Sequence, residues 1–230
     1  MSSLHIRSLS EGPASIWTLN ATEVRDRTAS LSPTPGGGSI SVFTAALGLA
    51  LVQKGVGVSL KRAGDDVFRR EALAGLGEEI ESTLATISGF ADEDSEAFRD
   101  YLKARSLPQS SEEEKAFRAA SMESALLRAI RVPLASAQGI CAGLKLAETA
   151  VRLAEHHLLS DVFGGAILLQ ASAKAILLNV VANVSMLADE AVGVALEAER
   201  VELEQISVDL GEAVARAYEA RNRDIPAKKA

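Results

Sequence analysis

Two stretches of this chain carry almost no charge, and they limit its possible folds more than any other feature. No ionisable side chain occurs from Ser39 to Gln53, before Lys54, and only Lys174 occurs from Val162 to Leu187. Each reads as a helix that is apolar nearly all round and so must bury most of its surface. The first uncharged run is too short for a hydrocarbon core, and Lys54, Gly55 and Gly57 spoil its second half, so a central helix of a soluble bundle is expected, not a membrane span. Ala45, Ala46, Gly48, Ala50, Gly55 and Gly57 leave grooves along it. Each glycine costs about 1 kcal/mol of helix propensity relative to alanine, a cost that suits a helix or a ligand lying against the backbone.

The segment Pro33-Thr34-Pro35-Gly36-Gly37-Gly38-Ser39 launches the first of these helices. Its prolines exclude helix before Gly36, its glycines free the backbone, and Ser39 is expected to cap a helix running to about Leu60. By its residues alone the segment is either a structural cap or a ligand cradle.

The rest of the chain reads as charged amphipathic helix. Ile16, Leu19 and Val24 mark a short helix from about Ser15 to Ser30, ended by Ser32-Pro33. Leu73, Leu76, Ile80, Leu84, Ile87 and Phe90 recur at helical spacing within a long helix from about Asp66 to Arg105. After Leu107-Pro108, Ser110-Ser111 followed by Glu112-Glu113-Glu114 starts another helix near Glu112. That helix is expected to reach His157, with a kink or break at Pro133. Ser160-Asp161 caps the second apolar helix, and Asp189 opens a last helix to about Arg221. The expected fold is all-α, a single-domain bundle of about five to six long helices, with the two apolar helices central and the charged ones as their jacket. The domain should span 15–222, with a mobile tail over 1–14 and a frayed tail over 223–230.

A net charge of -7 and a pI near 5.1 argue against a nucleic-acid binder, which needs a basic face. The lone Cys141 cannot form an internal disulfide and reads as a small core hydrophobe, which suits the reducing cytoplasm. The first twelve residues contain no apolar signal-peptide core. His156 and His157 point about 100° apart on a helix and cannot share one metal, so no metal site is expected. Asp92, Glu93, Asp94 and Glu96 form an acidic cluster in which one carboxylate, Asp94, can turn inward. Lys54, Lys61, Arg62, Arg69 and Arg70 collect around the end of the first apolar helix. Asn179 and Asn183, at i and i+4 on the second, are either interhelical glue or ligand contacts.

Taken together, these pieces resemble the formiminotransferase-cyclodeaminase C-terminal family, which comprises formiminotetrahydrofolate cyclodeaminases and similar methenyltetrahydrofolate cyclohydrolases. The resemblance rests on PTPGGGSISVFTAALGLAL over residues 33–51, Lys61, Asp94-Ser95-Glu96-Ala97-Phe98, Leu107-Pro108, Lys115, Val132-Pro133-Leu134, Ser160-Asp161, and Asn179 with Asn183. It runs from about Ser15 to Tyr218. Two places depart from it: Glu155-His156-His157-Leu158-Leu159 replaces a Gly-Asn-rich turn, and Ser59-Leu60 stands where a threonine is common.

The resemblance implies a helical homodimer that takes a reduced folate as substrate, without a further cofactor, and converts formiminotetrahydrofolate to 5,10-methenyltetrahydrofolate and ammonia. The alternatives are cyclohydrolysis of the methenyl compound to 10-formyltetrahydrofolate, or a non-catalytic folate-binding or structural dimer. It implies Asp94, Asp161 and Lys61 as catalytic residues and Gly36, Gly37, Gly38, Ser39, Ser160, Asn179 and Asn183 as substrate contacts. Neither a nucleic acid nor a membrane is an expected partner.

Overall fold

The computed structural model describes residues 15–223. After a 3-10 turn at Ile16–Thr18 come α1 (Ala21–Thr28), α2 (Gly37–Lys61), α3 (Val67–Arg105) and α4 (Glu112–Leu153). A second 3-10 turn, His156–Leu158, precedes α5 (Leu159–Val184) and α6 (Glu190–Arg223). Among the described residues there is no strand. The expected tails at 1–14 and, beyond Arg223, at 224–230 lie outside the described residues.

Local chemistry explains most of the boundaries. Ser111 and Glu114 form a reciprocal capping box at the start of α4, and the Asp66 side chain accepts from the Arg69 amide at 3.0 Å at the start of α3. The single helix expected over 15–30 is two pieces, because extended Asn20 restarts the chain with its own capping box to Glu23. The expected end of α4 at His157 is also corrected: the helix stops at Leu153, where Ala154 is extended with ψ 152. Arginines from two other helices take the carbonyls freed there. Arg69 donates to Leu153 O at 3.1 Å, and Arg221 donates to Val151 O and Ala154 O at 3.3 and 2.9 Å. Pro133 does not break α4, which runs through it.

α2 and α5 lie antiparallel and pack backbone to backbone. A Cβ built on Gly165 would come within 2.3 Å of Gly48 O, so only glycine permits this approach. Leu49, Leu73, Ile80, Ile130, Leu144, Leu169 and Ile176 fill the space between the α2–α5 pair and a second layer of α3, α4 and α6. Cys141 is buried in α4, its thiol pushed up to about 11 by desolvation, in keeping with a core role.

The expected jacket around the apolar pair is only half present. The three long charged helices cover one side of α2 and α5 and leave the other uncovered, with Leu47, Ile167 and Leu178 exposed at 49%, 51% and 66%. The helix with neighbours on most sides is α4, against which α3, α5, α6 and part of α2 all pack. The full helices are also longer than their uncharged runs. Gly37–Lys61 and His156–Val184, with mean hydropathy of 1.5 and 1.6, are long and apolar enough by length and composition to cross a bilayer, and 50% and 44% of those windows is buried within the bundle.

Candidate functional site

The start of α2 opens onto a cavity of about 220 Å³ bounded by α3, α4 and α5. The expected cap at Ser39 is not what starts the helix. Gly36 is the N-cap, without a side-chain cap, and the ladder begins three residues earlier than expected with Ile40 N donating to Gly36 O at 3.1 Å. The amides of the first turn have no partner within the helix, and Gly36, Gly37 and Gly38 line the cavity, so the segment combines a helix start with an anion- or oxygen-binding cradle.

Ser39 is fully buried and faces α3 instead. Its Oγ donates to Asp94 Oδ2 at 2.9 Å and lies 2.8 Å from Ser95 Oγ. A hydroxyl has one proton, so when Ser39 donates to an ionised Asp94 it must accept from Ser95. Among the described residues, Asp94 is the one charged side chain lining the cavity. Burial raises its pKa above the ordinary 3.8, and the bonds from Ser39 oppose that rise in part.

Gly38 explains how the reactive groups come together. A Cβ there would stand 2.2 Å from Asp94 Oδ1 and 2.4 Å from Asn179 Nδ2, so both side chains converge on the space that a missing Cβ leaves. Asn183, one turn beyond Asn179, also lines the cavity and donates through Nδ2 to Ala129 O at 3.2 Å. Pro33, Thr34, Ala97, Phe98, Ala129 and Ala182 complete the lining and were not among the expected substrate contacts. The sequence carried a signal for most of them: Ala97 and Phe98, at i+3 and i+4, share the helical face of Asp94, Ala182 shares that of Asn179, and Pro33 and Thr34 belong to the glycine-rich segment.

Three of the expected residues are elsewhere. Lys61 is at the far end of α2, on the order of 35 Å from Gly38 at 1.5 Å per residue, and Ser160 and Asp161, expected as the cap of α5, lie instead inside its first turn behind the N-cap Leu158, roughly 27 Å from Asn179. Asp161 instead pairs with Lys54 at 2.8 Å, joining α5 to α2 at that end. Asp94 and Asp161, both expected as catalytic, therefore do not meet within this chain. The expected order of motifs along the chain was sound, but antiparallel packing sends the two ends of each apolar helix to opposite ends of the bundle. Among the described residues no cluster of three or more His, Cys, Asp or Glu side chains is placed to hold a metal.

Comparisons with known proteins bear on this arrangement. The pattern of the formiminotransferase-cyclodeaminase family matches residues 20–202. A methenyltetrahydrofolate cyclohydrolase of Methylorubrum extorquens is 32% identical over 197 residues, covering 84% of this chain and 91% of that protein. A formimidoyltransferase-cyclodeaminase of Gallus gallus is 32% identical over 171 residues, 69% of this chain, and the match spans only 29% of that longer protein. The crystal structure of a formiminotetrahydrofolate cyclodeaminase from Thermotoga maritima superposes with a TM-score of 0.78 at 25% identity, covering 89% of this chain and 98% of that one.

Proposed function

This chain belongs to the formiminotransferase-cyclodeaminase family, and from that membership we propose that it is a folate one-carbon enzyme, a formiminotetrahydrofolate cyclodeaminase. The observation that carries the reading is Asp94, a half-buried carboxyl set among a helix start, two amides and small residues in one cavity.

The chemistry asks for one proton to move between two nitrogens of the substrate. N10 attacks the formimino carbon of the formamidinium cation, and Asp94 as carboxylate takes the proton that N10 then releases. As carboxyl, Asp94 gives that proton to the other nitrogen, which leaves as ammonia and leaves the methenyl cation. Burial raises the affinity of Asp94 for a proton and so brings its two states closer in energy at neutral pH. In this reading the first-turn amides of α2 hold substrate oxygen, and Asn179 and Asn183 meet the edge of the pterin ring. Lys61, Ser160 and Asp161, at the far end of the subunit, take no part in the proton transfer.

The second reading, a methenyltetrahydrofolate cyclohydrolase, is favoured by the Methylorubrum relative, which this chain matches over 91% of its length. The two differ in what is consumed. Formation of the near-ultraviolet methenyl absorbance from formiminotetrahydrofolate with ammonia release supports the cyclodeaminase. Loss of that absorbance from the methenyl compound without ammonia supports the cyclohydrolase, and inertness toward both refutes the enzyme.

The uncovered stripe of α2 and α5 supports a homodimer, since a second copy would present the same apolar stripe in return. Sedimentation should then give a dimer, and Leu178→Glu should shift it toward monomer.

A further inference from the structure

The hydrogen-bond ladder of α4 has a gap beside the cavity, and a side chain from α5 fills it. Pro133 lies buried inside α4. Lacking an N–H, it leaves the carbonyl four residues earlier, that of Ala129, without its helical donor. Ala129 lines the cavity, and it is to this carbonyl that Asn183 Nδ2 donates at 3.2 Å. A carbonyl only accepts, so the carboxamide must turn its NH2 toward Ala129, and its oxygen is the end left for the cavity.

We propose that Pro133 is a positioning residue for the site: by freeing the Ala129 carbonyl it holds the Asn183 carboxamide in one of its two flips, so that Oδ1 is presented as a hydrogen-bond acceptor to the ligand. The ligand chemistry this selects is a ring edge carrying N–H donors, the kind of edge a reduced pterin offers. The activity arm of the test below rests on the folate reading, whereas the spectroscopic arm does not.

An ordinary residue at position 133 would return an N–H to the ladder and compete for the Ala129 carbonyl. Asn183 would then lose the bond that fixes its orientation and could turn either end toward the cavity. The effect should fall on substrate binding more than on the chemical step, since Asn183 touches the ring edge and Asp94 moves the proton.

Three variants of the full chain test this: Pro133→Ala, Asn183→Ala, and the two combined. In spectra with 15N-labelled asparagine, the Asn183 side-chain amide, assigned by its loss in Asn183→Ala, should move in Pro133→Ala toward the position of a freely rotating amide. In turnover of the folate derivative, Asn183→Ala should raise KM by about 3- to 10-fold, the loss of one hydrogen bond, while kcat changes little. Pro133→Ala alone should raise KM in the same way, and adding Asn183→Ala to it should raise KM by less than twofold.

An Asn183 signal unchanged in Pro133→Ala overturns the proposal, as does an equal effect of Asn183→Ala in both backgrounds. Should the wild-type chain turn over no folate derivative, the function reading fails and the amide spectrum still decides the orientation. Should Pro133→Ala not fold, Asn183→Asp decides it. That variant sets carboxylate oxygen against the carbonyl and should melt below Asn183→Ala at neutral pH, and equal melting overturns the proposal.

Discussion

Replacing Gly38 with alanine should separate the stability of this protein from its activity. The added Cβ would stand 2.2 Å from Asp94 Oδ1, 2.5 Å from Asp94 Cγ and 2.4 Å from Asn179 Nδ2, where ordinary contact begins at 3.4 Å. The carboxyl must therefore retreat by about 1 Å, a misplacement that can cost roughly 10²-fold in rate when it falls on a reacting group. Folding should suffer far less. The clashing atoms are ends of side chains that can rotate away, so the strain belongs at the low end of the 1–3 kcal/mol range for overpacking, about 1 kcal/mol. Gaining a helix-favouring residue offsets up to about 1 kcal/mol of that. The net change in Tm should be no more than about 4 °C. Turnover by methenyl absorbance, together with thermal unfolding followed by circular dichroism, measures both quantities. Gly57→Ala is the control: its Cβ meets nothing within 4 Å, so it should keep full turnover and gain a little stability. Full turnover in Gly38→Ala would refute the convergence of Asp94 and Asn179 on that glycine as the basis of the site.

Asp94→Asn should abolish turnover and yet stabilise the fold at neutral pH. The folded-state pKa of Asp94 is raised by burial, so its contribution to stability is fully present below the ordinary value of 3.8 and is lost as pH rises through the raised value. The asparagine does not ionise, so its advantage in melting temperature should be present at pH 7 and shrink on acidification; a wild type that melts higher at pH 7 contradicts this. Lys61→Ala, at the far end of α2, should retain the turnover of the wild type within about twofold, and a larger fall would show that this end takes part in the reaction. Gly165→Ala differs from Gly38→Ala because its Cβ meets a backbone oxygen at 2.3 Å that no rotamer can move. Forcing α2 and α5 apart should cost at least about 3 kcal/mol, measured by chemical denaturation.

The fold was legible because its signals are local and repeat over many residues. Ser111 with Glu114, Asp66 before α3, and the heptad-like Leu73, Leu76 and Ile80 each specify helix without help from distant parts of the chain. Misjudged boundaries lay where distant side chains decide them. The early end of α4 depends on Arg69 and Arg221, which reach its last carbonyls from α3 and α6. The site was half legible for the same reason. Asp94 and the glycines of α2 stood out by type, but their distance from Lys61 and Asp161 follows from helix direction and packing, which residue spacing does not report. Ser95 was part of a recognisable motif but gave no hint of its role, because a serine on a helix next to an aspartate is ordinary until Ser39 is placed against both.

The close crossing of Gly48 and Gly165 also sets a schedule for the growing chain. These residues are separated by well over a hundred positions, so at 5–20 residues per second α2 leaves the ribosome roughly 6 to 23 s before the helix it packs against most extensively. During that interval α2 has α3 and, over a smaller part of its length, α4 as its long neighbours, and it displays an apolar surface long enough to attract lipid or chaperone. The amphipathic α3, made next, therefore serves as a temporary cover. Slow decoding between the codons for Arg105 and Leu159 would prolong the exposure without altering a single contact of the finished protein.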